Sequence, residues 1–237
     1  MNSILFSNPP PFRMDSDDLR FVHCKSVLKI PQGGTVFAGE INAGLYLCKI
    51  SYDKLGATLA PVKPIYSPTQ LRCVLISAFP RPQIAKRILF ESACFGVECL
   101  IFYASQKCDV SYIKSSLYTG EFREHLIRGA EQACSSHIPQ FRTAQDIESA
   151  IETASSLMPN SIKLAPDPYE ATSNFSDSVK NGSSFCVIFG SERGFSNSER
   201  DILRNSGFTL ASLGPRILRT DSAIIAALAQ IPQPGSP

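Results

Sequence analysis

Residues 183–223 read SSFCVIFGSERGFSNSERDILRNSGFTLASLGPRILRTDSA. The opening apolar run, 183–189, has strand length and no polar alternation, as a strand buried on both faces requires, and it stops at Gly190. Ser196, Asn197, Ser198 and Glu199 form a capping box, in which the serine takes an orphan amide of the first helical turn and the glutamate reaches back. A helix therefore starts there, with Ile202 and Leu203 on its buried side and Gly207 as its left-handed stop. FTLASL returns as a strand to a second turn at Gly214-Pro215, and LGPRILRTDSA leads into another helix. In a parallel sheet both glycine turns leave the same C-terminal edge, where ligands of open α/β sheets collect.

What those turns hold is less direct. A strand, a glycine turn and a helix start aim backbone amides at a ligand, usually an anion. GSERGFS is neither GxGxxG nor GxxxxGK[ST], so a nucleotide phosphate site is disfavoured and a structural turn competes with a ligand site. Arg216 and Arg219 flank Ile217 and Leu218, a placement that suits an electron-rich partner. The alternative is one arginine on helix carbonyls and the other solvated.

Upstream the same α/β rhythm continues. Strands are expected at 72–79, 97–104, 138–141 and 161–165, with helices at 82–94, 121–134 and 144–155. The polar stretch 166–184 reads as a surface excursion with no other role. The last helix, about 221–231, is apolar nearly all round. That predicts burial against its own sheet and a second copy of the chain, although wholly internal burial would give the same pattern. Before residue 62 the pattern is different: short β-like runs at 26–30, 35–41, 44–50 and 57–62, split by glycines, suggest a small barrel. VKPIYSP, 62–68, reads as an extended linker because of Pro64 and Pro68. Two domains are expected, 1–66 and 67–237.

Composition sets outer limits. The chain has 237 residues, 43% of them hydrophobic, and a net charge of +2, enough for a real core and too balanced to announce a nucleic-acid partner. No apolar run reaches the roughly 20 residues of a membrane span, and the N-terminus has no signal-peptide pattern, so a soluble, cytoplasmic protein is expected. The 8 cysteines form no CxxC pair and no cluster at metal-ligand spacing, so no metal is expected. His23, His125 and His137 stand apart from one another and earn no catalytic role.

IFGSERGFSNSE, followed by GF and LGPRILRTDSA, resembles the paired signature of the RsmE family, bacterial methyltransferases acting on N3 of a uridine in 16S (small-subunit) ribosomal RNA. That signature is approximately I-G-P-E-G-G-F-S-x-x-E, then G-F and L-G-x-R-I-L-R-x-E-T-A. Residues 81–141 and 22–44 follow the family's middle and N-terminal sections, so the resemblance covers nearly the whole chain. It implies a PUA-like β-barrel followed by a SPOUT domain with a mostly parallel sheet, whose chain end threads an earlier loop to make a trefoil knot. It also implies S-adenosyl-L-methionine as cofactor, small-subunit rRNA or the ribosomal subunit as partner, and a homodimer.

Carried onto this sequence, the resemblance implies cofactor contacts from Leu164, Ala165, Gly190, Ser191, Glu192, Leu213, Gly214, Arg216, Ile217, Leu218 and Thr220. Arg219 would stabilise the negative charge that develops on the uracil, and Glu192 would accept a proton or touch a ribose. His23, Lys25, Lys29, Arg81, Arg87 and Arg128 are candidate RNA contacts, each with solvated surface charge as its alternative. Ser191 replaces the family's proline, Arg193 a glycine, Asp221 a glutamate, Ser222 a threonine and Lys29 an arginine. If Arg193 needed a positive φ the loop would be crowded. Ser191 and Arg193 motivate a second reading, a catalytically impaired RNA- or ribosome-binding module that keeps the fold.

Overall fold

Five strands of the N-terminal region, β1 (Ile4–Phe6), β2 (Phe12–Asp15), β3 (Thr35–Glu40), β4 (Leu45–Asp53) and β5 (Gly56–Ile65), form one sheet in the order β1-β3-β4-β5-β2. The two outer strands come back toward each other: the rings of Phe6 on β1 and Phe12 on β2 stack at 4.7 Å, nearly closing a barrel. Met14, Ala38, Cys48, Ile50 and Leu59 fill its interior.

Two expectations are corrected here. Residues 26–30 are not a strand. Helix α1 (Leu19–Val22), capped by the Asp18 side chain, runs into a π turn, His23–Val27. Phe21 and Cys24 are buried while Val27 and Leu28 are exposed, a spacing of three that a short β-branched run disguises. Nor is 62–65 a linker, since β5 continues to Ile65 with Pro61 opposite Cys48 and Pro64 opposite Tyr46. β2 pairs only with Gly56–Leu59, so these prolines lie where β5 is an edge, and an edge tolerates a missing N–H.

The computed structural model describes residues 2–233. Its chain divides into two units, Met1–Pro68 with Ile127–Ile138, and Thr69–Leu126 with Pro139–Pro237. Residues 127–138 belong with the barrel through polar contacts. The Glu131 carboxylate accepts from the Leu5 amide at 2.9 Å, and the Glu131 carbonyl accepts from the amides of Asn2 and Ser3. Asn42 donates its amide to the Ser136 carbonyl at 2.7 Å, and its side chain accepts from the Ile138 amide at 3.0 Å.

The second unit is built on seven strands: β6 (Leu71–Ala78), β7 (Val97–Tyr103), β8 (Gln140–Ala144), β9 (Ile162–Pro166), β10 (Ser173–Asn174), β11 (Phe185–Phe189) and β12 (Thr209–Ser212). Their order is β10-β12-β9-β11-β6-β7-β8, and every pairing is parallel. β11 lies between β9 and β6 with all five residues buried. Helices α2 (Pro82–Cys94), α3 (Val110–Ile113), α4 (Phe122–Gln132), α5 (Ile147–Leu157), α6 (Phe175–Val179), α7 (Asn197–Asn205) and α8 (Thr220–Leu228) complete the chain. Ile147, Ala150 and Ile151 of α5, with Leu203 of α7, share one core with Ile76, Ile101, Cys186 and Ile188 of the sheet. Among the described residues, no helix is long and apolar enough to cross a membrane.

β12 pairs with β9, and α8, which follows it in the chain, packs on α2, the helix that follows β6. α8 buries Ile224, Ala227 and Leu228 but leaves Ile225 37% exposed, so among the described residues its second apolar face is incompletely covered. The 166–184 excursion also needs correction. It holds β10 and α6, with Phe175 and Val179 buried, and it begins with the buried carboxylate of Asp167.

Candidate active site

Because all seven strands run parallel, the loops after β6, β7, β9, β11 and β12 emerge at one edge of the sheet. The β11 loop folds back on itself immediately. A Cβ on Gly190 would lie 2.9 Å from the backbone of Gly194 and Phe195, so only glycine fits there. The Gly194 amide donates to the Ser191 carbonyl at 2.8 Å. The Ser191 hydroxyl accepts from the Arg193 amide and donates to the Gly194 carbonyl, both at 3.2 Å. Ser191 thereby braces with hydrogen bonds a turn that proline would stiffen covalently. Gly194 takes the positive φ, +72°, and Arg193 does not. Arg193 therefore does not occupy the left-handed position that would crowd the loop.

Ser196 then caps α7 as the sequence indicates, accepting from the Glu199 amide at 3.1 Å while Glu199 accepts from the Ser196 amide at 2.7 Å. The buried Glu199 also accepts from the Gln106 amide, and Lys107 donates to the Phe195 carbonyl at 2.7 Å. These bonds tie the β7 loop to the β11 loop.

The β9 loop is held by an ion pair that sequence reading missed. Asp167 accepts from Arg200 Nε at 2.7 Å, with side-chain exposures of 1% and 8%. It also accepts from the amides of Tyr169 and Glu170, at 2.7 and 3.1 Å. Burial alone would push this carboxyl up. The Arg200 hydrogen bond, the two amides and the guanidinium charge more than offset it and hold the group below the ordinary carboxylate range. Arg200 further bonds Asn197, and Arg204 pairs with Glu170. The Asp-Pro step at 167–168, a turn initiator, was the one available signal; nothing local pointed to Arg200 as its partner.

The β12 loop is open by contrast. Gly214 has φ +124° with empty space where a Cβ would stand. Among the described residues, the amides of Arg216, Ile217 and Leu218 make no backbone hydrogen bond. Ile217 is 70% and Leu218 40% exposed.

Three adjoining clefts lie along this edge. The largest, about 520 Å³, is lined by Arg81, Gln83, Ile84, Glu192, Ile217, Leu218, Arg219, Thr220 and Asp221. Leu218 also lines a small hollow with Pro166, Asp167, Leu213, Gly214 and Arg216. Arg81 and Glu192 also line a third cleft, with Lys107, Tyr112, Ser191 and Arg193. Arg81 Nε lies 3.4 Å from Glu192 and donates to the Tyr112 hydroxyl at 3.0 Å.

The expected residues thus divide. Ser191, Glu192, Leu213, Gly214, Arg216, Ile217, Leu218, Arg219 and Thr220 line these clefts, with Gly190 buried at the base of its turn. Leu164 and Ala165 are buried in β9, behind the loop they lead into. Of the RNA candidates, Arg81 lies at the clefts, while Arg87 on α2 donates to Asp221 on α8 at 2.9 Å. Asp221 keeps its second oxygen buried and without a hydrogen-bond partner among the described residues. His23, Lys25, Lys29 and Arg128 belong to the barrel unit. Lys25 sits 5.2 Å from the Phe21 ring, Lys29 is exposed with φ +51°, and Arg128 is exposed. No group of three potential metal ligands occurs among the described residues.

Comparison with known proteins places this edge in context. The chain is 28% identical to Ribosomal RNA small subunit methyltransferase E of Treponema pallidum, over 92% of this chain and 88% of that protein. It is 25% identical to Ribosomal RNA small subunit methyltransferase E 1 of Borreliella burgdorferi, over 89% and 88%. Its fold matches a structure of a ribosomal RNA small subunit methyltransferase E from Neisseria gonorrhoeae, bound to S-adenosyl methionine. The TM-score is 0.76 at 20% identity, covering 97% of this chain and 96% of that one. Residues 67–232 match the model of the RNA methyltransferase domain, the span that contains the whole parallel sheet and all three clefts. The chain therefore belongs to the RNA methyltransferase domain family, the RsmE family that its sequence resembles.

Proposed function

We propose that this chain transfers the methyl group of S-adenosyl-L-methionine to N3 of a uridine in small-subunit ribosomal RNA. The observation that carries the reading is the meeting of the β11 and β12 loops at one cleft, with Glu192 and Arg219 on its walls, in a member of an RNA methyltransferase family. The names of the two bacterial relatives support the substrate, and the cofactor in the gonococcal structure supports the methyl donor.

The residues present suit that cofactor. It has no phosphates, and the loops carry no phosphate-binding pattern. The unpaired amides of Arg216, Ile217 and Leu218 can donate to the acceptor nitrogens of an adenine, and exposed Ile217 and Leu218 offer apolar surface to its ring. Gly190, Ser191, Leu213, Gly214 and Thr220 complete the holding loops, and Leu164 and Ala165 form the strand end that supports them. When bound, the cofactor supplies an electrophilic methyl group on a sulfonium.

Uridine N3 carries a proton between two carbonyls, so it must lose that proton before it can act as a nucleophile. The charge then spreads over O2 and O4. Arg219, exposed and without an ion pair among the described residues, aims guanidinium donors at that charge. Glu192 accepts the proton, and Arg81 at 3.4 Å holds its carboxylate in place. His23, Lys25, Lys29 and Arg128 contact RNA phosphates from the barrel, while Arg87 acts by fastening α8 to α2. Two copies associate through the open face of α8 around Ile225, in the cytoplasm. Sedimentation equilibrium at micromolar concentration should return twice the chain mass; a single-chain mass would refute that association.

N3 methylation blocks Watson-Crick pairing, so reverse transcriptase halts at the modified base. Primer extension on small-subunit RNA should show that stop in the source organism and lose it when the gene is deleted. A stop that persists in the deletion strain would remove the proposed reaction.

A further inference from the structure

The third cleft, about 200 Å³, has no part in the chemistry above, although it shares Arg81 and Glu192 with the largest one. Its cations are Arg81, Lys107 and Arg193, and its acids are Asp109 and Glu192. Most of these groups are already engaged. Lys107 donates to the Phe195 carbonyl, Arg81 bridges Glu192 and Tyr112, and Asp109 caps α3 by accepting from the Ser111 amide at 2.9 Å. Arg193 is different. Its guanidinium makes no hydrogen bond or ion pair with any described residue, although, after the hydrogen bonds from Ser111, its charge helps to hold the Asp109 carboxyl below the ordinary range, and its side chain is exposed at the cleft wall.

The turn does not need it either. Ser191 and Gly194 close that loop by themselves, using only the Arg193 backbone amide. Arg193 stands where the family signature has glycine, so this chain has added a long cationic side chain to a loop whose geometry is complete without it. A fork of five N–H donors with no hydrogen bond to a described residue, beside two further cations and next to the proposed methyl-transfer cleft, matches a phosphodiester in geometry and charge. Cys108 on the same wall is pushed up by burial and stays a neutral thiol, so it brings neither nucleophile nor negative charge to the cleft.

We propose that this cleft is a phosphodiester subsite for the RNA strand flanking the target base, with Arg193 as its anchor. The proposal rests on the RNA methyltransferase reading and extends it to a contact that the family's glycine cannot make. Lys107 and Arg81 add positive potential against the two acids, Asp109 and Glu192, and Tyr112 completes the lining.

The test uses the full chain with Arg193→Gly and Arg193→Ala. The probe is a fluorescent fragment of small-subunit rRNA, titrated by anisotropy at several KCl concentrations. S-adenosylhomocysteine binding is measured alongside by calorimetry. Removing one phosphate contact should weaken RNA binding about fivefold near 0.1 M salt and lower the slope of log K against log salt by ~0.7–0.9. Cofactor-product affinity should stay within about twofold, and Arg193→Lys should recover most of the slope. Unchanged RNA affinity and slope in both variants, with a wild type that methylates RNA, would overturn the subsite and leave the reaction standing. A wild type that binds RNA through Arg193 but transfers no methyl group would overturn the reaction and leave the subsite. Loss of RNA affinity with an unchanged salt slope would mean that Arg193 meets something other than a phosphate, a protein component of the particle included, and would also overturn the proposal.

Discussion

Replacing Arg200 with alanine should destabilise the C-terminal unit by about 3–5 kcal/mol, because it leaves the Asp167 carboxylate buried with its charged partner gone. The midpoint of urea unfolding, followed by circular dichroism, reads this directly. A shift equivalent to less than about 1 kcal/mol, the range of an exposed pair, would show that the pair does not hold the loop. The same pair makes stability depend on pH with a definite sign. Asp167 in the folded chain lies below the ordinary carboxylate range, so in acid the unfolded chain binds the proton first. Its contribution is therefore complete at neutral pH. It declines as pH falls below ~3.9, the ordinary aspartate value, and is lost once pH passes below the folded-state value. Asp167→Asn should flatten this acid limb, and unfolding midpoints followed from pH 6 down to about pH 2, across the ordinary aspartate value, would reveal a limb that persists.

Arg219→Ala should lower the rate of methyl transfer to RNA by about 10²–10³-fold, the usual effect of removing one preorganised donor from a developing anion. Single-turnover transfer of a tritiated methyl group separates this step from binding. The rise in melting temperature caused by saturating S-adenosylhomocysteine should remain, since that rise reports binding to the native state and not chemistry. Arg219→Lys should recover part of the rate, because it restores charge without the planar fork. A single-turnover rate within twofold of wild type would remove Arg219 from the reaction and return it to the solvated arginine that the sequence also allowed. Loss of both rate and thermal shift would instead make it a cofactor-holding residue.

Local patterns carried the parts of this protein that local rules govern. The run 183–189 could only be a strand covered on both faces, and β11 is that strand. The capping box at Ser196 starts α7 where it should, since both of its bonds join residues three apart. The glycine turns marked the loops that line the clefts because close approach at Gly190 and a positive φ at Gly214 exclude other side chains. Where the pattern was ambiguous, the reading failed for a reason that can be named. Residues 26–30 carry β-branched side chains on a π turn and its exit, and β5 runs through two prolines because one of its edges is free.

By itself, then, the sequence determined the alternation of strands and helices, the two cleft-lining turns and, through its paired signature, the family. Only the tertiary structure decided that Asp167 meets Arg200, that residues 127–138 belong with the barrel, and that Arg87 pairs with Asp221 while Arg193 makes no hydrogen bond or ion pair among the described residues. Caps and turns join neighbours in the chain, so their residue types can be read in order. The Asp167 to Arg200 pair spans 33 positions and Arg87 to Asp221 spans 134, and such a partner is known only once folding has brought distant segments together.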